Sequence, residues 1–460
     1  MSFNESRMKT TLFLAVLTAV HLHVGLARAD DGSTAHEWGT FTSVQASDGI
    51  QLEWNPLSVS ELPKFVYNRT TPGGTSPAAA RPYLAGKGDF SALQRMETPV
   101  IYFYSQHEQT VDVTVQFPQG IVTEWYPQLR ASAQASTNLL NSPRTIRWDQ
   151  VRVLPAERHA DLSALLPSDP SGSHYYAARA TDAAFLQVNA DSQAKERLET
   201  AKRLFSCAAP SVPSSPVSKD RLETEKFLFY RGVGNFRAPL TVTQAGQDAQ
   251  SVQLRNTGAD ELRHLFVYVA RGQQGKFVFV AELPPGASRL VDLSPDEGLA
   301  PLSETRARIA VELQEGLVRE GLFPMEAQAM VKTWDDSWFA ESGVRVLYTL
   351  PRAWTDRILP LTLDPQPREV VRVMVGRAEL ITPSMEWELM KQIVRYTDPD
   401  GSVRTQAIQA TRNLGLGRFL EPAARRLQIK VPTQELGKAS AELIRAASKP
   451  GVIGKDVAVK

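Results

Sequence analysis

The stretch HEWGTFTSVQASDGIQLEW, residues 36–54, decides how the fold begins. Its first ten residues alternate weakly between apolar and polar. Ser47-Asp48-Gly49 then offers a tight turn before IQLEW (50–54). Two short runs around an Asp-Gly tip read as a β-hairpin. The same stretch raises a chemical question, because a His stands beside a Glu and close to a Trp. In a regular strand successive side chains point to opposite faces. His36, Trp38 and Thr40 then share one face, and Glu37, Gly39 and Phe41 share the other. The adjacent pair therefore reads as two separate groups. His36 is a candidate ligand or base near a strand end, and Trp38 is a core anchor of the first hairpin.

Outward from the hairpin the β pattern continues. TPVIYFYS (98–105), TVDVTVQF (110–117) and IVTEWY (121–126) are β-rich runs joined by short turns, the pattern of a meander. TIRWDQVRVL (145–154), HYYAARATDAAFLQV (174–188) and EKFLFYRGV (225–233) read as further strands. Residues 68–92, rich in Gly, Pro, Ala and Thr, read as a long loop. SQAKERLETAKRLFSCAA (192–209) reads as a short helix or an excursion, with a Pro/Ser stretch behind it. Between 238 and 293, PLTVTQ, SVQLRN, HLFVYVAR, KFVFVAEL and SRLVDL recur with turn residues between them. Spacing of roughly 8–12 residues is the habit of a β-sandwich-like unit.

The period changes near residue 300. ETRARIAVELQEGLVREG (304–321) carries Ile309, Leu313 and Leu317 on one helical stripe, with Gly321 as stop. Pro324 opens a second helix in which Met330, Trp334 and Trp338 recur every four residues. VRVLYTL (344–350) and EVVRVMVGRAEL (369–380) return to strand. From 383 to about 448 the pattern is helical, and GSVRTQAIQATRNLGLGRFLEPAARRL (401–427) resembles one HEAT-type helix pair. A solenoid needs about three such units, so this region reads as a helical cap. The expected class is α+β. A β-rich N-terminal domain (30–237) precedes a β-sandwich-like unit (238–298), a mixed helix and strand region (299–382) and a helical C-terminal region (383–460).

The 460 residues are 42% hydrophobic and 22% charged, enough for several domains with ample core. The 51 basic and 50 acidic residues nearly cancel and form no like-charge block, which argues against a nucleic-acid partner. Arg7 and Lys9, the apolar run LFLAVLTAVHLHVGL (12–26) and ARA (27–29) make residues 1–29 a signal peptide. Cleavage after Ala29 leaves Asp30 first. The run is short for a span of about 20 residues, so no membrane span is expected after cleavage, and the mature protein is expected to be soluble and periplasmic or secreted. Cys207 is the single cysteine, so no intramolecular disulfide can form.

No P-loop, Rossmann glycine pattern, G-x-S-x-G elbow, H-E-x-x-H or C-x-x-C is present. The mature histidines, His36, His107, His159, His174 and His264, are not spaced to share a helix face. Any site must therefore be assembled from distant segments. The catalytic candidates are His36, Glu97, His174 and Glu225. Glu97 stands just before an apolar strand, where Arg95 or Arg81 is a natural partner. His174, Tyr175, Arg179 and Asp182 cluster in SHYYAARATDA, a set suited to an anionic or sugar-like ligand. Tyr175 and Arg179, with Arg231, are the ligand-binding candidates. Glu225 and Arg231 share a strand face but stand too far apart to pair directly. Glu326 heads the apolar stripe of the second helix, either as a dipole partner or as a buried acid. Asp335 and Asp336 lie near that helix's C-terminal end, where the dipole disfavours them. They read as cation ligands or as partners for the arginines of RVLYTLPRAWTDR. With His36 and His174 they complete the candidate metal ligands for a possible divalent ion.

HEWGTFTSVQASDGIQLEW, RMETPVIYFYS (95–105), SHYYAARATDA (173–183), EKFLFYRGVGNF (225–236) and RVLYTLPRAWTD (345–356) resemble strings of an uncharacterised family of exported bacterial proteins. The resemblance covers most of the mature chain. It implies a bacterial envelope location and brings no functional residues with it. Two readings of function follow from the residues. The first is an exported protein that binds a protein or glycan partner through aromatic-bearing β-domains. The alternative is a periplasmic metal-dependent hydrolase built from distant His and Glu residues.

Overall fold

Strand β1 (Thr34–Ala46) is buried at all 13 of its positions. A strand covered on both faces needs no clean alternation, which accounts for the weak pattern of the opening stretch. The chain turns at Gly49, whose φ of +82° suits glycine, and returns as β2 (Gln51–Leu52) antiparallel to β1. The expected hairpin is present.

The computed structural model describes residues 32–55, 62–68, 91–130, 144–170, 172–190, 221–246, 250–294 and 298–448. The segment 1–29, nearly all of the Gly/Pro-rich stretch 68–92, the run 192–209 expected as a short helix or an excursion, Cys207 and the Pro/Ser stretch lie outside the described residues. After the hairpin come β3 (Tyr67–Asn68), β4 (Gln94–Tyr104), β5 (Gln109–Gln116), β6 (Gly120–Tyr126) and β7 (Thr145–Leu154). Two 3-10 turns, Ala160–Leu165 and His174–Arg179, precede β8 (Phe185–Asn189), β9 (Leu222–Glu225) and β10 (Leu228–Gly234). Next are β11 (Leu240–Ala245), β12 (Ser251–Asn256), β13 (Leu262–Arg271), β14 (Gln274–Leu283), β15 (Ser288–Asp292) and β16 (Ala300–Pro301). Helices α1 (Leu302–Arg319) and α2 (Pro324–Asp335) follow, the latter running on through a π-turn, Asp336–Ala340. Then come β17 (Gly343–Leu350), α3 (Arg352–Ile358), β18 (Leu361–Asp364) and β19 (Glu369–Ile381). The chain closes with α4 (Pro383–Tyr396), α5 (Gly401–Asn413), α6 (Leu420–Lys430) and α7 (Gln434–Ala447). The class is α+β, β-rich first and helical last.

One large sheet organises the molecule, in the order β16-β14-β13-β17-β19-β1-β4-β10-β6-β3, with β2 also on β1. It draws strands from each of the three segments before residue 382. β1 runs parallel to β19 and antiparallel to β4. The expected meander does not form. β10 lies between β4 and β6, while β5 leaves for a five-stranded sheet ordered β18-β5-β7-β8-β9. A short connection permits a change of sheet as easily as a hairpin, and the choice is made by partners from elsewhere in the chain. The five runs between 238 and 293 are all strands. β11, β12 and β15 form a three-stranded sheet, whereas β13 and β14 belong to the large one. Residues 174–179 form a 3-10 turn in place of the expected strand.

The two faces of β1 meet different layers. His36 and Trp38 face Phe323 and Tyr102, whereas Glu37 and Phe41 face Tyr230, Trp354 and Phe236. Trp38, Trp125, Trp148 and Trp338 are buried in the principal core. These tryptophans therefore fill the interior, whereas Phe279 of β14 is exposed. Trp387, on α4, is the exposed tryptophan among the described residues. The cap helices close a second core around Val44, Trp54, Leu389, Phe419 and Leu443. Among the described residues, no helix is long and apolar enough to cross a membrane.

Buried charges stitch the sheet to its covering. Glu379 of β19 receives Arg345 Nε at 3.0 Å and Arg377 Nη2 at 2.8 Å. Arg377 also donates to Glu341 at 2.6 Å, and Arg345 to the Trp338 carbonyl at 2.8 Å. Removing one member of a buried ion cluster leaves the others desolvated and uncompensated. Glu379→Gln is expected to lower unfolding free energy by about 3–5 kcal/mol in urea titrations, and a loss below about 1 kcal/mol would contradict this account of the cluster.

Candidate functional site

Three strand pairings lose register at one place. β1 and β4 slip between Trp38 and Thr40, β4 and β10 between Phe229 and Gly232, and β10 and β6 between Arg231 and Gly232. Bulges bend strands and re-aim side chains, so the sheet opens here. Gly232 is required by the crowding, since a Cβ would lie 2.3 Å from the Ile121 carbonyl oxygen. Thr98 adopts φ +50°, a conformation that β-branched residues rarely hold.

The opening is the floor of a cleft of about 820 Å³ between the large sheet and the helical cap. Glu97, Thr98 and Arg231 line it from the sheet. His174 and Tyr175 reach it from the 3-10 turn, Trp334 from α2 and Arg418 from a short 3-10 turn of the cap, Gly417–Phe419. Arg418 Nη1 donates to both Glu97 oxygens at 2.9 Å, and the Thr42 hydroxyl donates to Oε1 at 2.6 Å. Burial alone would raise the Glu97 carboxyl. Arg418 and Arg95 outweigh it and hold the group down at about 2. Arg95 itself is pushed down to about 9, first by burial and next by the neighbouring Arg231.

The sequence candidates are distributed unevenly around this cleft. Glu97, His174, Tyr175, Arg231 and Asp336 all line it. His36 does not. Its Nδ1 lies 2.7 Å from Glu326 Oε2, and its ring packs 4.4 Å from that of Phe323. Glu326 is fully buried and also receives the Tyr104 hydroxyl at 2.9 Å and the Phe323 amide at 2.9 Å. It is thus both a helix-start partner and a buried acid. Glu37 turns the other way, to Arg372 at 2.6 Å and to the Tyr230 hydroxyl. Strand alternation separates the two neighbours as the pattern required.

Glu225 is enclosed behind the cleft. Arg179 binds it through two donors at 2.9 and 2.6 Å, the Tyr175 hydroxyl donates at 3.0 Å, and the Lys226 amide at 2.8 Å. Burial pushes the Glu225 carboxyl up, and these donors oppose it. Arg179 is committed to this pair. Arg231 instead stands 3.5 Å from Glu124, so Glu225 and Arg231 pair elsewhere, as their spacing implied.

Asp335 and Asp336 both face Arg306 of α1, Asp336 at 3.5 Å, and not the arginines of RVLYTLPRAWTDR. The helix does not end at these residues but continues through the π-turn, which removes the expected conflict with its dipole. Among the described residues, no three His, Cys, Asp or Glu side chains gather to hold a metal ion. The four candidate ligands are dispersed, His36 in the core with Glu326, His174 on the cleft rim, and the two aspartates on Arg306. Arg81 lies outside the described residues. Arg418 and Trp334 are cleft residues that the sequence did not announce as site members, and Glu124, beside Arg231, is another residue of the surroundings that it did not announce. Arg418 lies 321 residues from Glu97, beyond any local pattern.

A depressed carboxyl stabilises the folded state above its unfolded value and loses that contribution as pH falls through its folded value. For Glu97 the window runs from about 4.5 down to about 2. Wild type is expected to exceed Glu97→Gln by on the order of 3 kcal/mol at pH 7, with the gap closing across that window. A gap that stays constant from pH 6 to 2 in denaturant titrations would refute the assignment.

No family model matches this chain, and no curated protein matches it. The chain aligns with the yeast delta-COP-I mu-homology domain complexed with a Dsl1 WxWxV peptide, at 6% identity and a TM-score of 0.27. The alignment covers 76% of this chain and 98% of that one. The same yeast domain without the peptide aligns at 7% identity, with the same score and coverage. At these values the likeness carries no argument about fold or function.

Proposed function

We propose that this is an exported binding protein whose ligand enters the cleft between the large sheet and the helical cap. The observation that carries the reading is the cleft itself. It lies where three strand pairings bulge together, it has walls from both layers, and its volume of about 820 Å³ is of the size that receives small ligands. A protein or glycan partner would enter by a part that fits this space. A hydrolytic reading is less well supported, since Glu97 and Glu225 are held in closed ion pairs and His36 is bound to Glu326 away from the cleft. The basic and apolar N-terminal run, with ARA before Asp30, supports export.

Two experiments test this. A thermal-shift screen of metabolites, peptides and oligosaccharides is expected to give hits that are lost in Ser337→Trp, which fills the cleft from its wall. Hits unaffected by that change would place binding elsewhere and defeat the reading. Intact mass of protein secreted by a bacterial host is expected to begin at Asp30, and an uncleaved chain retained in the cytoplasm would remove export from the proposal.

A further inference from the structure

The polar atoms of the cleft wall are of one kind. Arg231 is 6% exposed; its Nε is enclosed without a hydrogen-bond partner, and its Nη2, 3.5 Å from Glu124 Oε1 in an ion pair, makes no hydrogen bond. Arg418 Nε and Trp334 Nε1 are in the same condition. All of these are N–H donors, and among the described residues no enclosed acceptor on the wall lacks a partner. Buried donors are normally satisfied, so a group of them on residues that line one cavity calls for more acceptor than Glu124, beside Arg231, supplies.

The charges agree. Arg95, Arg231 and Arg418 converge on the floor of the cleft with Glu97, and Glu124 stands 3.5 Å from Arg231. The other acids of the wall are turned to arginines that do not line it. Glu341 binds Arg377 at 2.6 Å, Glu421 binds Arg425 at 2.6 Å, and Asp336 lies 3.5 Å from Arg306. Burial pushes Arg95 down first and the Arg231 charge next, and a negative charge beside Arg231 would offset the second of these. Leu416, Leu420 and Ile444 add an apolar side to the same space.

We infer that the cleft is a site for a small molecule bearing an oxyanion, a carboxylate or a phosphate, with its charged group on Arg231 and Arg418 and its body against the apolar wall. Arginine meets such groups with paired, charge-assisted hydrogen bonds, and lysine cannot reproduce that geometry. This inference rests on the binding reading and names the chemical class of its ligand.

The test is calorimetric titration of the full mature protein with inorganic phosphate, succinate and neutral succinamide. Saturable binding of phosphate or succinate is expected, with no binding of succinamide, and the responding probe identifies the oxyanion. Arg231→Lys keeps a cation beside Glu124, and circular dichroism checks its fold. It is expected to weaken the responding anion at least tenfold, and Ser337→Trp to abolish it. Failure of both anions to bind, or binding unchanged in Arg231→Lys, overturns the inference. If neutral hits from the screen are lost in Ser337→Trp but not in Arg231→Lys, the anion assignment falls while the binding reading stands.

Discussion

A strand enclosed on both faces has nowhere to leave a charge uncompensated, and β1 carries two ionisable neighbours, His36 and Glu37. Burying an ionised group is costly unless it is paired and hydrogen-bonded. Alternation sends the two to opposite faces, so each needs its own partner. Glu326 reaches His36 from α2, and Arg372 reaches Glu37 from β19 with Tyr230 of β10 behind it. The first pair ties the central strand to the helix that covers it, the second ties it to its neighbours in the same sheet, and together they fix which elements meet it. Apolar packing alone would leave that choice less determined.

The same logic extends along the sheet. Glu379 holds Arg345 and Arg377, Glu225 holds Arg179, and Glu97 holds Arg418. Apart from Glu379 and Arg377, which share β19, the members of each pair come from different elements. The cleft differs from these closed clusters. There the sheet is bulged, Thr98 is held at an unfavourable φ, and donors stay enclosed without acceptors. Local departures from good structure that coincide at one place are the pattern expected of a functional site.

Legibility in the sequence followed the range of the interactions. The first hairpin, the separation of His36 from Glu37 and the change from β to helix near residue 300 all depend on neighbours, and they were readable. So were the separate fates of Glu225 and Arg231. The path of β5 was not, because its neighbours β7 and β18 are far along the chain and a short turn does not dictate a hairpin. The 174–179 turn was misread as strand, although Ser173, which accepts the Tyr175 amide, is a reasonable turn-opening residue. At the site, five of the candidates line one cleft, but Arg418 and Trp334, which complete its donor set, come from segments that read locally as ordinary helix.

The parallel pairing of β1 with β19 also has a bearing on how the chain is made. Glu37 and Arg372 are 335 residues apart, so the central strand cannot gain its second neighbour until most of the polypeptide exists. Pairings of such separation form slowly, because the intervening chain must first be brought together. Until then one edge of β1 presents a row of open N–H and C=O groups, the kind of edge on which another chain can add itself. The finished protein hides that edge in the middle of its largest sheet. A growing or partly unfolded chain keeps it in the open, and needs protection from its own copies for as long as β19 is missing.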